Sequence, residues 1–136
     1  MENKLNVLIA EDDRIISLDL VNSLTALGYN VYEPATNGIE IVNMALTLKP
    51  DVILMDIKLV GTIDGIDAAK TIQLNRNIPI IFITAYGTEK SHKKVKFINT
   101  SKIIQKPYNI GEVDRAIKEA LNLNGNMVSS KRGLTL

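Results

Sequence analysis

The sequence predicts an α/β domain with a doubly wound, five-stranded parallel sheet in the strand order 2-1-3-4-5. Short apolar, β-branched runs alternate five times with helical stretches along the 136 residues. Most of these runs are apolar throughout, as in parallel strands that are covered by helices on both faces of a sheet. Doubly wound domains of this size commonly adopt this strand order.

The five predicted strands are bounded by polar or turn-forming residues. Pro34 ends the second strand and Pro79 opens the fourth, because proline lacks the amide hydrogen that a central strand needs. No apolar run approaches the ~20 residues of a membrane span, and the N-terminus does not resemble a signal peptide. We therefore expect a cytoplasmic protein. The predicted strands are Leu5–Ala10, Val31–Glu33, Val52–Met55, Ile80–Thr84 and Lys102–Gln105.

Five helices are predicted from apolar residues that repeat at helical spacing. Gly28 is expected to stop the first helix, and Asn37 is a candidate N-cap of the second. In the first helix, one apolar stripe is formed by Ile15, Leu18, Val21, Leu24 and Leu27. The predicted ranges are Arg14–Leu27, Gly38–Leu48, Asp67–Leu74 with a start near Asp64, Thr88–Ile98 and Ile110–Leu123.

Composition limits the kinds of site that the chain can hold. With 46% apolar and 23% charged residues, the chain is typical of one globular domain, which we place at residues 1–124, with a C-terminal tail at 125–136. The absence of cysteine excludes disulfides, thiolate-bound metals and cysteine nucleophiles. His92 is the single histidine, so a histidine-rich metal site is excluded as well.

Charge is distributed unevenly along the chain. The formal charge is −6 over residues 1–70 and +7 over residues 71–136, and six lysines lie between Thr88 and Lys106. A solvated helix face is the simpler explanation of these lysines, and a surface for an acidic partner is the other. Phe97 is the one aromatic residue among them, so we expect no base-stacking platform and no direct nucleic-acid binding.

Acidic side chains follow the first and third predicted strands. Glu11, Asp12 and Asp13 come after the first strand, and Asp56 ends the third. Ligands of doubly wound sheets bind beyond the carboxyl ends of the strands, so neighbouring strands would bring these carboxylates together. Clustered carboxylates repel one another unless a cation neutralises them. Oxygen ligands of this kind suit Mg²⁺.

A hydroxyl and an ammonium group are expected at the same edge of the sheet. Thr84 ends the fourth strand and Lys106 follows the fifth. A threonine hydroxyl donates to a phosphoryl oxygen, and a lysine supplies a point charge for a phosphate. Each residue alone is explained by helix capping, strand packing or surface exposure. Together, these residues favour phosphoryl transfer to a carboxylate. Such a transfer needs no general base, because an ionised carboxylate is already a nucleophile.

The runs VLIAEDD, DVILMDIKL, IPIIFITA and IIQKPY, in this order, resemble the receiver domain of two-component response regulators. The resemblance covers the chain from about Leu5 to Leu123 and implies a flavodoxin-like (βα)5 fold. It also implies a stand-alone response regulator whose phosphodonor is a sensor histidine kinase or a histidine phosphotransfer protein.

The resemblance implies a role for each candidate residue. Asp56 matches the phosphoacceptor, Thr84 the switch hydroxyl, and Lys106 the phosphate-binding lysine. The implied ligands of Mg²⁺ are the carboxylates of Glu11, Asp12 and Asp56 and the backbone carbonyl of Lys58.

The sequence departs from the usual receiver pattern at three places, one of which is the unusually lysine-rich fourth helix. No proline follows Asp56 in the stretch from Lys58 to Gly65, and Ile103 stands where an aromatic switch residue is usual. The resemblance places an unknown downstream partner, or a second copy in a weak homodimer, on the fourth helix, fifth strand and fifth helix. The lysines there suggest an acidic partner. Lys58 and Tyr86 flank the site and are expected to tune the lifetime of the phosphate.

Three other interpretations remain open. A pseudo-receiver would bind partners without phosphorylation. An aspartyl-nucleophile phosphatase would need a second aspartate two residues after Asp56, where Lys58 stands. A flavin-binding module would need a hydroxyl- and glycine-rich loop after the first strand, where the chain has three acids.

Overall fold

The computed structural model describes residues 4–85, 98 and 102–122. It contains a five-stranded parallel sheet in the order β2-β1-β3-β4-β5, which confirms the predicted fold. Two strands are shorter than expected, because β1 begins at Asn6 and β2 ends at Val31. The strands are β1 (Asn6–Ala10), β2 (Asn30–Val31), β3 (Val52–Met55), β4 (Ile80–Thr84) and β5 (Lys102–Gln105).

Each described helix begins at a polar N-cap residue. The side chain of Asn37 accepts a hydrogen bond from the Glu40 amide at 2.8 Å, as the sequence predicts, and Asp13, Asp64 and Asn109 cap the other helices. Within the described ranges, no helix is long and apolar enough to cross a membrane. The helices are α1 (Arg14–Ala26), α2 (Gly38–Thr47), α3 (Gly65–Asn75) and α4 (Ile110–Ala120).

Some predictions fall on residues that the structure does not describe. The predicted helix Thr88–Ile98 lies outside the described residues except for Ile98, which is buried in the core. Tyr86 and the tail at 125–136 also lie outside them.

The sheet separates two apolar core layers, because successive side chains of a strand point to opposite faces. On one face, Ile53, Met55 and Phe82 pack with residues of α2 and α3. On the other face, Leu54 and Ile81 pack with residues of α1 and α4. Burial on both faces explains why the central strands β1, β3 and β4 lack the alternation of half-exposed strands.

The apolar stripe predicted for α1 faces the core only in part, because Leu24 is buried and Val21 is partly buried. Ile15 is 82% exposed and Leu18 is 60% exposed, whereas Ser17, Leu20 and Leu24 are buried. The helix carries two overlapping apolar stripes, and it packs on the sheet through the one that contains Leu20 and Leu24. Burial of Ser17 is tolerated because its hydroxyl donates to the Arg14 carbonyl at 3.3 Å. Ile15 and Leu18 are left on an outward face beside the carboxyl edge of the sheet.

Candidate functional site

The carboxyl ends of β1, β3, β4 and β5 meet around one cavity of about 280 Å³. The pairing of Ala10 with Met55 places the following residues, Glu11 and Asp56, side by side, and the Asp56 amide donates to the Ala10 carbonyl at 3.0 Å. The cavity is lined by Glu11, Asp12, Asp13, Ile16, Asp56, Lys58, Thr84, Ala85 and Lys106. The structure thus brings together the predicted site residues that it describes, which are Glu11, Asp12, Asp56, Lys58, Thr84 and Lys106.

Three carboxylates form a tight acidic group in this cavity. One oxygen each from Glu11, Asp12 and Asp56 lies within 4.8 Å of the others. Glu11 and Asp56 are buried, at 4% and 8% exposure, whereas Asp12 is exposed. An all-oxygen donor set open to solvent on one side fits a hard divalent cation that keeps part of its water shell.

Lys106 places its ammonium group between two of these carboxylates. Its Nζ donates to Glu11 Oε1 at 2.9 Å and to Asp56 Oδ2 at 3.2 Å. Burial alone lowers the pKa of Lys106, but the hydrogen bond to Glu11 and the charge of Asp56 outweigh burial and raise that pKa above its ordinary value. The ammonium therefore stays charged and offsets part of the repulsion between the acids.

Glu11 has a raised pKa, chiefly because burial disfavours its charged form, and the charge of Asp56 adds to this effect. The hydrogen bonds that Glu11 accepts from Lys106 and from the Asp13 amide, at 2.9 and 3.0 Å, act in the opposite direction. The carboxyl group therefore remains costly to ionise even beside the lysine. A second positive charge in the cavity would favour its ionised form.

The segment that follows Asp56 folds back over the carboxylate. We name residues 56–64 the β3–α3 loop. The Lys58 amide donates to Asp56 Oδ1 at 3.2 Å, while Ile57 and Leu59 are buried in the core. The loop thus fixes one oxygen of Asp56 and leaves the Lys58 side chain exposed. The metal-binding role of the Lys58 carbonyl stays a prediction.

Thr84 lies at the end of β4 and is 1% exposed. Its carbonyl accepts a hydrogen bond from the Lys106 amide at 2.9 Å, which ties the ends of β4 and β5 together. Ile103 pairs with Phe82 in the sheet and is partly buried against the core. The side chain at this position of β5 is therefore aliphatic and not aromatic.

Sequence reasoning did not assign a role to Ile16 or Ala85, both of which line the cavity. Ile16 lies in the first turn of α1, where its amide donates to Asp13 Oδ1 at 3.2 Å. Ile16 follows the N-cap of α1 at the carboxyl edge of the sheet, and this position is the signal that could have identified it as a residue of the site. Asp13 itself caps α1 and does not belong to the three-carboxylate group.

The fold and this cavity define a doubly wound α/β domain with an acidic site at the carboxyl edge of its sheet, and comparison with known proteins identifies the family. The family model "Response regulator receiver domain" matches residues 7–118. The chain therefore belongs to the response regulator receiver family.

Two relatives and one solved structure illustrate the family match. The transcriptional regulatory protein PdtaR of Mycobacterium tuberculosis is 35% identical over 116 residues, which are 85% of this chain and 56% of PdtaR. The chain thus spans about half the length of that relative. Sporulation initiation phosphotransferase F of Bacillus subtilis is 31% identical over 121 residues, covering 88% of this chain and 96% of the relative.

The solved structure is the receiver domain of a sensor histidine kinase from Pseudomonas aeruginosa, with a magnesium ion coordinated in its active site cleft. It aligns with a TM-score of 0.76 and 27% identity, over 86% of this chain and 97% of that domain.

Proposed function

We propose that the chain accepts a phosphoryl group on Asp56 from a phosphohistidine of a sensor histidine kinase or a histidine phosphotransfer protein. The observation that carries the proposal is the setting of the Asp56 carboxylate. The Lys106 ammonium lies 3.2 Å away, and oxygens of Glu11 and Asp12 lie within 4.8 Å. Membership of the receiver family supports the same reaction.

In the proposed transfer, one carboxylate oxygen of Asp56 bonds to phosphorus while the phosphorus–nitrogen bond of the donor breaks. The imidazole of the donor leaves with the electron pair of that bond. Catalysis of such a transfer rests on positioning and charge stabilisation. Lys106 supplies a positive charge to the carboxylate before transfer and to the phosphoryl group afterwards.

The proposed ligands of Mg²⁺ are the Glu11, Asp12 and Asp56 carboxylates and the Lys58 backbone carbonyl. The clustered oxygen donors of the three acids fit this ion. When bound, Mg²⁺ supplies positive charge that offsets the repulsion between the carboxylates and the incoming phosphoryl oxygens.

The phosphodonor needs a surface beside the cavity, because Asp56 is only 8% exposed. A second cavity, of about 520 Å³, lies next to the first and shares Ile16 and Lys106 with it. Its remaining lining includes Ile15, which is 82% exposed, and Tyr108. We assign docking of the donor to this second cavity, because an exposed isoleucine in a cavity that adjoins the acceptor site gains from burial against a partner.

The proposed output is a shift in the population of two conformations. The Thr84 hydroxyl would contact the phosphoryl oxygen in one conformation only, and such differential contact is what shifts a population. The response would reach β5 through Ile103 and then the face formed by β5, α4 and the lysine-rich residues 88–98. An acidic downstream protein, or a second copy in a weak homodimer, is the proposed occupant of this face.

The bounds of the receiver domain at 1–124 and its cytoplasmic location belong to the same proposal. Lys58 lies exposed beside Asp56. Together with Tyr86, it is proposed to control the access of water to the phosphorylated aspartate. The rate of dephosphorylation in a Tyr86→Ala variant tests this role.

The experiment is incubation with Mg²⁺ and a small acyl phosphate, followed by intact-mass measurement. We expect a gain of one phosphoryl group that is abolished by Asp56→Asn. The matched control is Asp51→Asn, because Asp51 lies at the opposite end of β3 and accepts a hydrogen bond from the Asn6 amide at 2.7 Å. A wild-type chain that gains no phosphoryl group would contradict the proposal and favour a receiver that only binds partners.

A further inference from the structure

The β3–α3 loop is held by the connection between β2 and α2 as well as by its own strand. Asn37 pairs with Val60 in an isolated parallel bridge, and Ile63 lies against Gly38, the first residue of α2. At the end of the loop, the Gly65 amide donates to the Ile57 carbonyl at 2.7 Å. The loop is therefore anchored at its middle and at its end.

Gly38 allows the close approach of α2 to this loop. A Cβ atom at Gly38 would lie 2.5 Å from Ile63 Cγ1 and 2.7 Å from the Ile63 carbonyl oxygen. Real Cβ contacts essentially never fall below 3.0 Å, so a side chain here would displace the backbone of the loop. Gly38 has no positive φ, so this contact is the reason for glycine at this position.

The same connection also supports the first acidic segment. The Glu11 amide donates to the Ala35 carbonyl at 2.9 Å, and the Ala35 amide donates to the Ile9 carbonyl at 2.8 Å. Residues 35–38 thus lie between the backbone that carries Glu11 and the loop that follows Asp56. A shift of this connection changes the spacing of the two segments without touching a carboxylate.

We propose that Gly38 is a positioning residue of the Asp56 site, because it lets residues 35–38 hold the Glu11 segment and the β3–α3 loop in one fixed arrangement. This inference rests on the proposed function. Mg²⁺ requires near-ideal geometry at about 2.0–2.1 Å from its ligands. A loop displaced by a few tenths of an ångström would therefore bind it less tightly, and supporting groups of metal ligands typically affect affinity about 10- to 100-fold.

The first test compares Gly38→Ala with Gly28→Ala. Gly28 has a φ of +102°, and a Cβ atom there would meet no other atom within 4 Å, so its substitution strains the backbone far from the loop. We expect Gly38→Ala to weaken Mg²⁺ binding about tenfold by calorimetry and to speed amide hydrogen exchange across residues 57–65 in metal-free protein. Gly28→Ala should lower the melting temperature and change neither quantity.

A second variant covers the case in which Gly38→Ala does not fold. Ile63→Ala disturbs the contact between Ile63 and Gly38 from the loop side, by removing side-chain atoms and not by adding one. The exposed neighbour Thr62 provides the control Thr62→Ala. We expect faster exchange and weaker Mg²⁺ binding for Ile63→Ala alone.

The wild-type protein must first be shown to bind Mg²⁺. The inference is then overturned if either Gly38→Ala or Ile63→Ala has the same Mg²⁺ affinity and the same rate of amide exchange as the wild type. It is also overturned if Gly28→Ala weakens binding by the same factor as Gly38→Ala. Failure of the wild-type chain to bind Mg²⁺ or to become phosphorylated would instead overturn the proposed function. Exchange measured without metal separates the two failures, because it reports on the loop alone.

Discussion

Replacement of Lys106 by methionine removes the positive charge at the centre of the site while keeping an unbranched side chain. The variant loses two charge-assisted hydrogen bonds, at 2.9 Å to Glu11 and at 3.2 Å to Asp56. Removing one partner from a buried ion pair costs about 3–5 kcal/mol. Since the Lys106 side chain is 17% exposed, we expect a loss near the lower end, about 3 kcal/mol, in the free energy of unfolding of metal-free protein.

The assay is urea denaturation at neutral pH, with Lys102→Met as the matched control. Lys102 lies in the same strand and pairs with Glu119 at 2.8 Å, but both side chains are about half exposed, at 50% and 45%. Surface pairs contribute about 0–1 kcal/mol. The reasoning is refuted if Lys106→Met destabilises the fold no more than Lys102→Met does.

The dependence on pH gives this prediction a second test. The pKa of Glu11 is already raised, so protonation of this carboxyl favours the folded state. Without the Lys106 ammonium, the pKa of Glu11 rises further. The Lys106→Met variant should therefore regain stability as the pH falls through the pKa of Glu11. On the alkaline side, the contribution of Lys106 in the wild type is present in full up to the ordinary pKa of 10.5 and is lost as the pH rises through its higher folded-state pKa.

Two other variants test contacts away from the site. Tyr29→Phe removes the hydrogen bond that the hydroxyl donates to Asp114 and should cost about 1.5 kcal/mol. Burial raises the pKa of Asp114, but its bonds from Tyr29 and Lys118 lower it overall. The difference in melting temperature between Tyr29→Phe and the wild type should therefore shrink as the pH falls below 3.8. A difference that stays constant with pH would contradict this prediction. Arg76→Met removes two hydrogen bonds that the guanidinium donates to carbonyls at the end of α2, at 3.2 and 2.7 Å. It should lower the free energy of unfolding by about 2 kcal/mol in urea denaturation, and an unchanged urea midpoint would contradict this prediction.

The sheet and the acidic group were predictable from sequence because both follow from a general property of parallel sheets. Apolar runs fix which segments are buried strands, and parallel pairing then brings their carboxyl ends to one edge. Residues placed directly after those runs, such as Glu11 and Asp56, must therefore meet at that edge. The N-cap at Asn37 was predictable because capping depends on a few neighbouring residues.

The orientation of α1 was not predictable in the same way. Its apolar residues satisfy helical spacing on two adjacent faces, and the packing against the sheet decides which face is buried. The particular side-chain contacts made by the loops and at the sheet edge were also not predictable. Nothing near Gly38 in the chain indicates that Ile63 will lie against it. The sequence places Lys106 at the same edge as the acids, but it does not indicate that the ammonium pairs with Glu11 as well as with Asp56.

The central claim is that Asp56 carries the phosphoryl group, and borohydride reduction tests it most directly. An aspartyl phosphate is reduced to homoserine, which peptide mass spectrometry locates in the sequence. After treatment with Mg²⁺ and an acyl phosphate, we predict homoserine at position 56 and at no other aspartate. Homoserine at position 12, or its absence from a chain that has gained phosphate, would contradict the account.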